Sequence, residues 1–94
     1  MTKARERVFV IVIGKDRKGI IARISGLLYE CDVNIEDVQQ KVMDGTFVMT
    51  LLADVTDCPL PIGELRARLQ ALGEEMGLTV MLHSEAVVKA MHRI

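Results

Sequence analysis

The residues best placed to do chemistry form one short stretch, Gly14-Lys15-Asp16-Arg17-Lys18-Gly19-Ile20-Ile21. It lies between an apolar run and a helical stripe, so its end opens a helix. Backbone N–H groups in the first turn of a helix lack intrahelical partners and can hold a carboxylate or phosphate. Gly14 and Gly19 let a ligand or a neighbouring subunit approach the main chain closely. Lys15, Arg17 and Lys18 add positive charge, and Asp16 adds a carboxylate beside them. The same residues also read as a solvated turn whose glycines serve backbone geometry alone. A nucleotide fingerprint is absent: Gly14 and Gly19 have the spacing of a P-loop, but Ile20 and Ile21 stand where Lys and Ser or Thr are required.

Other chemistry is thinly represented. Ser25 and Ser84 are the only serines, and neither has a Gly-x-Ser-x-Gly setting. Two histidines, His83 and His92, make no zinc site without help from Cys or acids, so no metal and no cofactor is expected. His83 reads as a strand end and His92 as part of the tail. Cys31 falls on an apolar helical stripe and reads as a core residue rather than a nucleophile. Asp32, Glu36 and Asp37 are close in sequence. On a regular strand, however, Asp37 shares a face with Val33 and Ile35 while Glu36 points the other way, so no carboxylate pair is expected. The methionines read as core or interface fillers. The chain is therefore expected not to be an enzyme.

The elements that position these residues follow from periodicity. Val8 to Ile13 is an unbroken β-rich run, as a central strand buried on both faces requires. Ile20, Ile24, Leu27, Leu28 and Cys31 form one helical stripe, with Arg23 and Glu30 on the wet side. Residues 33–43 read as a second strand and 46–55 as a third, joined by Asp44-Gly45, a strong type I′ hairpin signal. The second strand is half polar and the third nearly dry, which predicts an edge beside an interior strand, the edge being a dimer seam. Pro61 suits the first position of a second helix carrying Ile62, Leu65, Leu69, Leu72 and Met76, which Gly77 ends. Residues 78–83 read as a fourth strand. Residues 85–94 read as a short helix with Val88 and Met91 facing the body.

The order predicts an α+β fold: a ferredoxin-like βαββαβ sandwich, a four-stranded antiparallel sheet with two helices on one face. Strands one and three are expected in the centre and two and four at the edges. The uncovered sheet face keeps apolar side chains, which favours a partner. Ninety-four residues suit one domain, spanning 1–94, and a chain this short gains from a shared core. The net charge of −1 gives no general attraction for nucleic acid or an anionic membrane. The longest apolar run suits neither a membrane span nor a secretory signal. Cys31 and Cys58, far apart and in no Cys-x-x-Cys pair, are expected to be reduced in a cytoplasmic protein.

Three segments together resemble a known family. They are Val10 to Gly14 running into Lys15-Asp16-Arg17-x-Gly19-Ile20-Ile21; Asp32-Val33-Asn34-Ile35-x-Asp37 with Gln39-Gln40; and the ending Ala90-Met91-His92-Arg93-Ile94. They resemble ACT domains, and with the ending they resemble the small stand-alone ACT-domain family across nearly the whole chain. The resemblance implies a βαββαβ domain that pairs with a second copy, often by joining sheets. It also implies an amino acid or similar small carboxylate bound near the subunit interface. Mapped here, the implied contacts are Gly14, Lys15, Asp16, Arg17, Gly19 and Ile20 from the first connection, and Asn34, Ile35 and Asp37 from the second strand. Lys18 departs from the family, which is often apolar there. The expectation is a homodimeric sensor or adaptor acting on an unidentified regulated protein. The alternative is a structural or protein-docking homodimer with no small-molecule ligand.

Overall fold

The computed structural model describes residues 4–91. The chain runs β1 (Arg7–Lys15), α1 (Ile20–Glu30), β2 (Asn34–Met43), β3 (Thr46–Asp54), α2 (Ile62–Met76), β4 (Leu78–Ser84) and α3 (Glu85–Met91). The four strands form one antiparallel-paired sheet in the order β2-β3-β1-β4, with the expected central and edge strands. Because β1 and β2 both run antiparallel to β3, they are parallel to one another. The β1–α1 connection and the β2–β3 turn therefore lie at the same end of the sheet. The hydrogen bond from Asp16 N to Gly45 O, 3.0 Å, ties the two together.

Alternation decides which face is dry. Val8, Val10 and Val12 of β1 are fully buried, with Phe47, Met49, Leu51 and Ala53 of β3 and Leu78, Val80 and Leu82 of β4 on the same face. They pack against Ile20, Ile24 and Leu28 of α1 and Leu65, Leu69 and Met76 of α2. The opposite face of β1 is not dry. Phe9 and Ile11 are half-buried and Ile13 is exposed, so the run expected to be buried twice over is buried once.

The hairpin turn carries positive φ at both Asp44 and Gly45, 49° and 80°, as a type I′ turn demands. Gly77 ends α2 in the left-handed conformation. Pro61 is the residue before α2 rather than its first helical residue; its carbonyl accepts from the N–H groups of Glu64 and Leu65. In α3, Val88 is half-buried but Met91 is 73% exposed, against expectation. This helix has only seven residues, none of them buried. His92, Arg93 and Ile94 lie outside the described residues.

The second strand holds the main departure. Its register against β3 shifts between Ile35 and Asp37, making Glu36 the extra residue of a β-bulge. Ile35 pairs with Ala53 on the helix side, whereas Asp37 pairs with Leu52 on the open side. Asp37 and Ile35 thus face opposite ways, and Glu36 turns to the open side too, where it meets Arg7.

Candidate functional site

At the Lys15 end of the sheet, the start of α1 and the end of β2 leave an open groove of about 480 Å³. Its walls are Asp16, Arg17, Gly19 and Ile20 with Ile21 and Ala22 on one side. Gln40, Lys41, Val42 and Phe47 form the other. Gly19 stands at the helix N-cap with φ 87° and ψ 1°, a conformation that side-chain-bearing residues rarely adopt. A Cβ built on Gly19 meets nothing within 4 Å, so it is the backbone angle, not crowding, that requires glycine. No side chain caps α1 and no acidic residue occupies its first turn, whereas α2 has Glu64 there. The groove therefore faces uncapped N–H groups at the positive end of a helix dipole; on its β2 wall Gln40 and Val42 alternate toward the helices, and Lys41 toward the open face. Arg17 is partly engaged, because its Nη1 donates to Met76 O at 3.2 Å.

The residues expected from the sequence divide into three groups. Asp16, Arg17, Gly19 and Ile20 come together in the groove. Gly14 and Lys15 do not line it. Gly14 is a packing residue: an added Cβ would lie 2.5 Å from Leu78 Cδ2 and 3.1 Å from Gly77 O. Lys15 ends β1 on the open face. Asn34, Ile35 and Asp37 sit at the far end of β2. Asn34 and Lys41 are seven residues apart, roughly 23 Å along an extended strand. Within one protomer the two implied halves of the site do not meet.

The sequence reading does not include Gln40, Lys41, Val42 and Phe47 among the site residues. Parallel first and second strands put the end of the second beside the first connection, so the βαββαβ order contained that signal.

The opposite end of the sheet holds charges that satisfy one another. Arg7 donates to Glu36 at 3.2 Å and also to Glu85, and Arg5 bridges Glu36 and Asp54. Hydrogen bonding from Arg5, reinforced by Arg7, holds the Glu36 carboxyl below the usual carboxylate range. Hydrogen bonds from the Thr56 hydroxyl and N–H lower that of Asp54. Among the described residues no group of three His, Cys, Asp or Glu side chains is placed to hold a metal ion. Cys31 is buried and Cys58 half-buried, both as free thiols, and burial pushes the Cys31 thiol up.

The ACT domain family model matches residues 6–83, most of the described sheet and both main helices. This chain belongs to the ACT domain family. ACT domains are typically regulatory ligand-binding domains. The chain is similar to a UPF0237 protein of Methanopyrus kandleri, at 46% identity over 88 residues, covering 94% of this chain and 98% of that one. Among solved structures it resembles an ACT domain protein from Streptococcus pneumoniae, with a TM-score of 0.81 and 30% identity, covering 95% of this chain and 100% of that one. A formyltetrahydrofolate deformylase from Pseudomonas syringae shares the fold alone, at a TM-score of 0.79 and 18% identity. The match takes in 86% of this chain but 28% of the deformylase. Among the described residues no helix is long and apolar enough to cross a membrane.

Proposed function

We propose that this ACT domain is a cytoplasmic regulatory module that binds an amino acid or similar small carboxylate between two copies of itself. The observation that carries this reading is the groove at Gly19: an uncapped helix start beside Arg17, open enough for a small anion. The ligand carboxylate meets the first-turn N–H groups of α1. Asn34 or Asp37, which have hydrogen-bonding side chains, orient its polar or amino group.

Those two residues reach the groove only from a second copy, and the edge of β2 supports such an arrangement. Val38 directs its N–H to Asp37 Oδ1 at 2.9 Å rather than to β3. By alternation the N–H of Gln40 also points away from the sheet. Antiparallel pairing of two β2 strands with Gln39 on the two-fold axis sets Val38 opposite Gln40 of the second copy. It also sets Asp37 opposite Lys41, so unlike charges face each other on the same side of the joined sheet. The N-terminal end of each β2 then lies beside the groove of the other copy. Binding there stabilises the paired state over the separate chains, which gives the module a readout for a regulated protein.

A dimer with no ligand is the second reading, and Val38 and Val42 favour it, since 42% and 52% exposure gives edge valines reason to pair regardless of any ligand. Native mass spectrometry against amino acids and small carboxylates separates the two. The proposal expects a two-copy species retaining a small acid. A two-copy species that retains none of them would overturn it.

A further inference from the structure

The two cysteines of the chain, Cys31 and Cys58, take no part in the groove. They are far apart in sequence, yet the topology brings both to the end of the sheet where β2 begins, on the side of the helices. Cys31 closes α1. Its N–H donates to Leu27 O and Leu28 O at 3.2 and 3.1 Å, and it is 4% exposed within the core. The chain then turns through Asp32, with φ 57°, and enters β2 at Asn34, which pairs with Asp54 at the end of β3. The β3–α2 connection therefore starts beside that turn, and its Asp57 borders the same hollow as Asp32, Val33 and Asn34. The next residue, Cys58, donates its N–H to Val55 O at 3.0 Å and packs half-buried on the core that holds Cys31.

Burial pushes the Cys31 thiol up, a charge on Cys58 pushes it further, and the Arg68 guanidinium draws it part of the way back. One sulfur feels the charge on another only over a short gap with little water to screen it. Two thiols and a guanidinium, from three separate parts of the chain, thus meet at the end of α1. The exposure of the thiols is unequal: Cys58 is half-buried and Cys31 is buried. A small oxidant arriving from solvent reaches Cys58 first, while Cys31 is sheltered beside it. A singly oxidised cysteine with a second thiol at hand condenses to a disulfide instead of advancing to the irreversible acids.

We propose that Cys31 and Cys58 are a reversible oxidation site, at which a peroxide joins them in a disulfide that fastens the end of α1 to the β3–α2 connection. The Cys58 thiolate attacks one oxygen of the peroxide. The S–O bond forms, the O–O bond breaks, and the second oxygen leaves as hydroxide or alkoxide. The peroxide gains two electrons and Cys58 becomes a sulfenic acid, which Cys31 then attacks at sulfur. The S–S bond forms as the S–O bond breaks, and the departing hydroxyl takes the Cys31 proton and leaves as water. A thiol reductant reverses the oxidation by exchange. The disulfide closes a loop that holds β2, the hairpin and β3, and so restrains the unfolded chain; the oxidised domain unfolds at higher denaturant. The site is independent of the groove and of the pairing proposed for β2.

Intact-mass measurement on the full chain tests this, with folding before treatment checked by circular dichroism. Reduced protein is treated with hydrogen peroxide, then denatured in iodoacetamide and weighed. The expected product is a single chain lighter by two hydrogens with neither cysteine alkylated, and dithiothreitol returns it to the doubly alkylated form. Its denaturant midpoint is expected to lie above that of the reduced protein. Cys31→Ala is expected to stop at the Cys58 sulfenic acid, trapped as its dimedone adduct. Cys58→Ser is expected to keep Cys31 as a free thiol at the same dose of peroxide. Wild-type protein that stays doubly alkylated, or whose disulfide joins two chains, overturns the site, whether or not either variant folds. A folded Cys58→Ser chain whose Cys31 is oxidised as readily as the wild-type pair overturns the assignment of Cys58 as the thiol that meets the peroxide.

Discussion

The two ends of the sheet carry similar numbers of charges and use them differently. At the end where β1 begins, Arg5 and Arg7 are matched by Glu36, Asp54 and Glu85 in one connected set. At the other end the α1 start has neither a side-chain cap nor a first-turn acid, and Arg17 lines the groove in front of it. Charge already neutralised within the chain has little left to offer a ligand. Charge and N–H groups left unmatched around a concave surface do. On the proposed function one end has a structural role and the other a binding role, and substitutions at the two ends are expected to have opposite signatures.

The largest effect is expected from Gly19→Val. A β-branched residue at φ 87° is strained by ~1–2 kcal/mol, and its side chain enters the route by which a carboxylate reaches the main chain. Affinity for a small carboxylate is expected to fall at least about tenfold by calorimetry on verified dimers, an amount worth ~1.4 kcal/mol. Unchanged affinity in a folded dimer would remove the groove from consideration. A moderate effect is expected from Gly14→Ala, which adds a methyl 2.5 Å from Leu78 Cδ2. Such overpacking costs about 1–3 kcal/mol, read as a lower denaturant midpoint, while affinity stays near that of the wild type. Lost binding with intact stability would return Gly14 to the site.

Arg17→Ala is expected to weaken binding a few-fold and to flatten its dependence on salt, because one exposed charge acts at modest strength and is screened. Glu36→Gln is expected to have the smallest consequence at neutral pH and none on ligand affinity. Its signature is in acid. Arg5 and Arg7 depress the Glu36 carboxyl, so its contribution is complete above the ordinary glutamate range and fades as pH falls through the lowered value. Acid unfolding followed by circular dichroism should be shallower in Glu36→Gln than in the wild type. Equal slopes would show that the ion cluster does not stabilise the fold through this carboxylate.

Much of this could be read from the residues, and the failures have physical causes. Apolar stripes such as Ile20, Ile24 and Leu28 gave both main helices, and Asp44-Gly45 gave the hairpin, because each is a local signal. The bulge at Glu36 was not legible. A binary pattern cannot show one extra residue in a strand whose neighbours, Asp37, Gln39, Gln40 and Lys41, are polar on both sides. That single residue reversed the face of Asp37. Met91 was misplaced because apolar character near a chain end does not say whether any surface remains to cover it. Half of the groove was recognised from the Gly19 turn. The other half depends on which strand ends are neighbours, a property of topology rather than of any short motif. The separation of Asn34 from Gly19 likewise appears only once both strands have been placed.

A mixed dimer tests most directly whether the site is built from two copies. One chain carries Gly19→Val, which disables its groove, and the other carries Asn34→Leu and Asp37→Leu, which disable what it lends to its neighbour. In the paired-edge arrangement both defects fall on a single groove, since the doubly substituted chain lends its altered strand to the copy that carries Gly19→Val. The remaining groove joins an intact Gly19 turn to intact Asn34 and Asp37. Calorimetry with the small carboxylate identified by native mass spectrometry is expected to show one wild-type-affinity site per mixed dimer, and none in either parent homodimer. Two sites in the dimer of the Asn34→Leu, Asp37→Leu chain would contradict the account, because each groove would then be complete within its own copy.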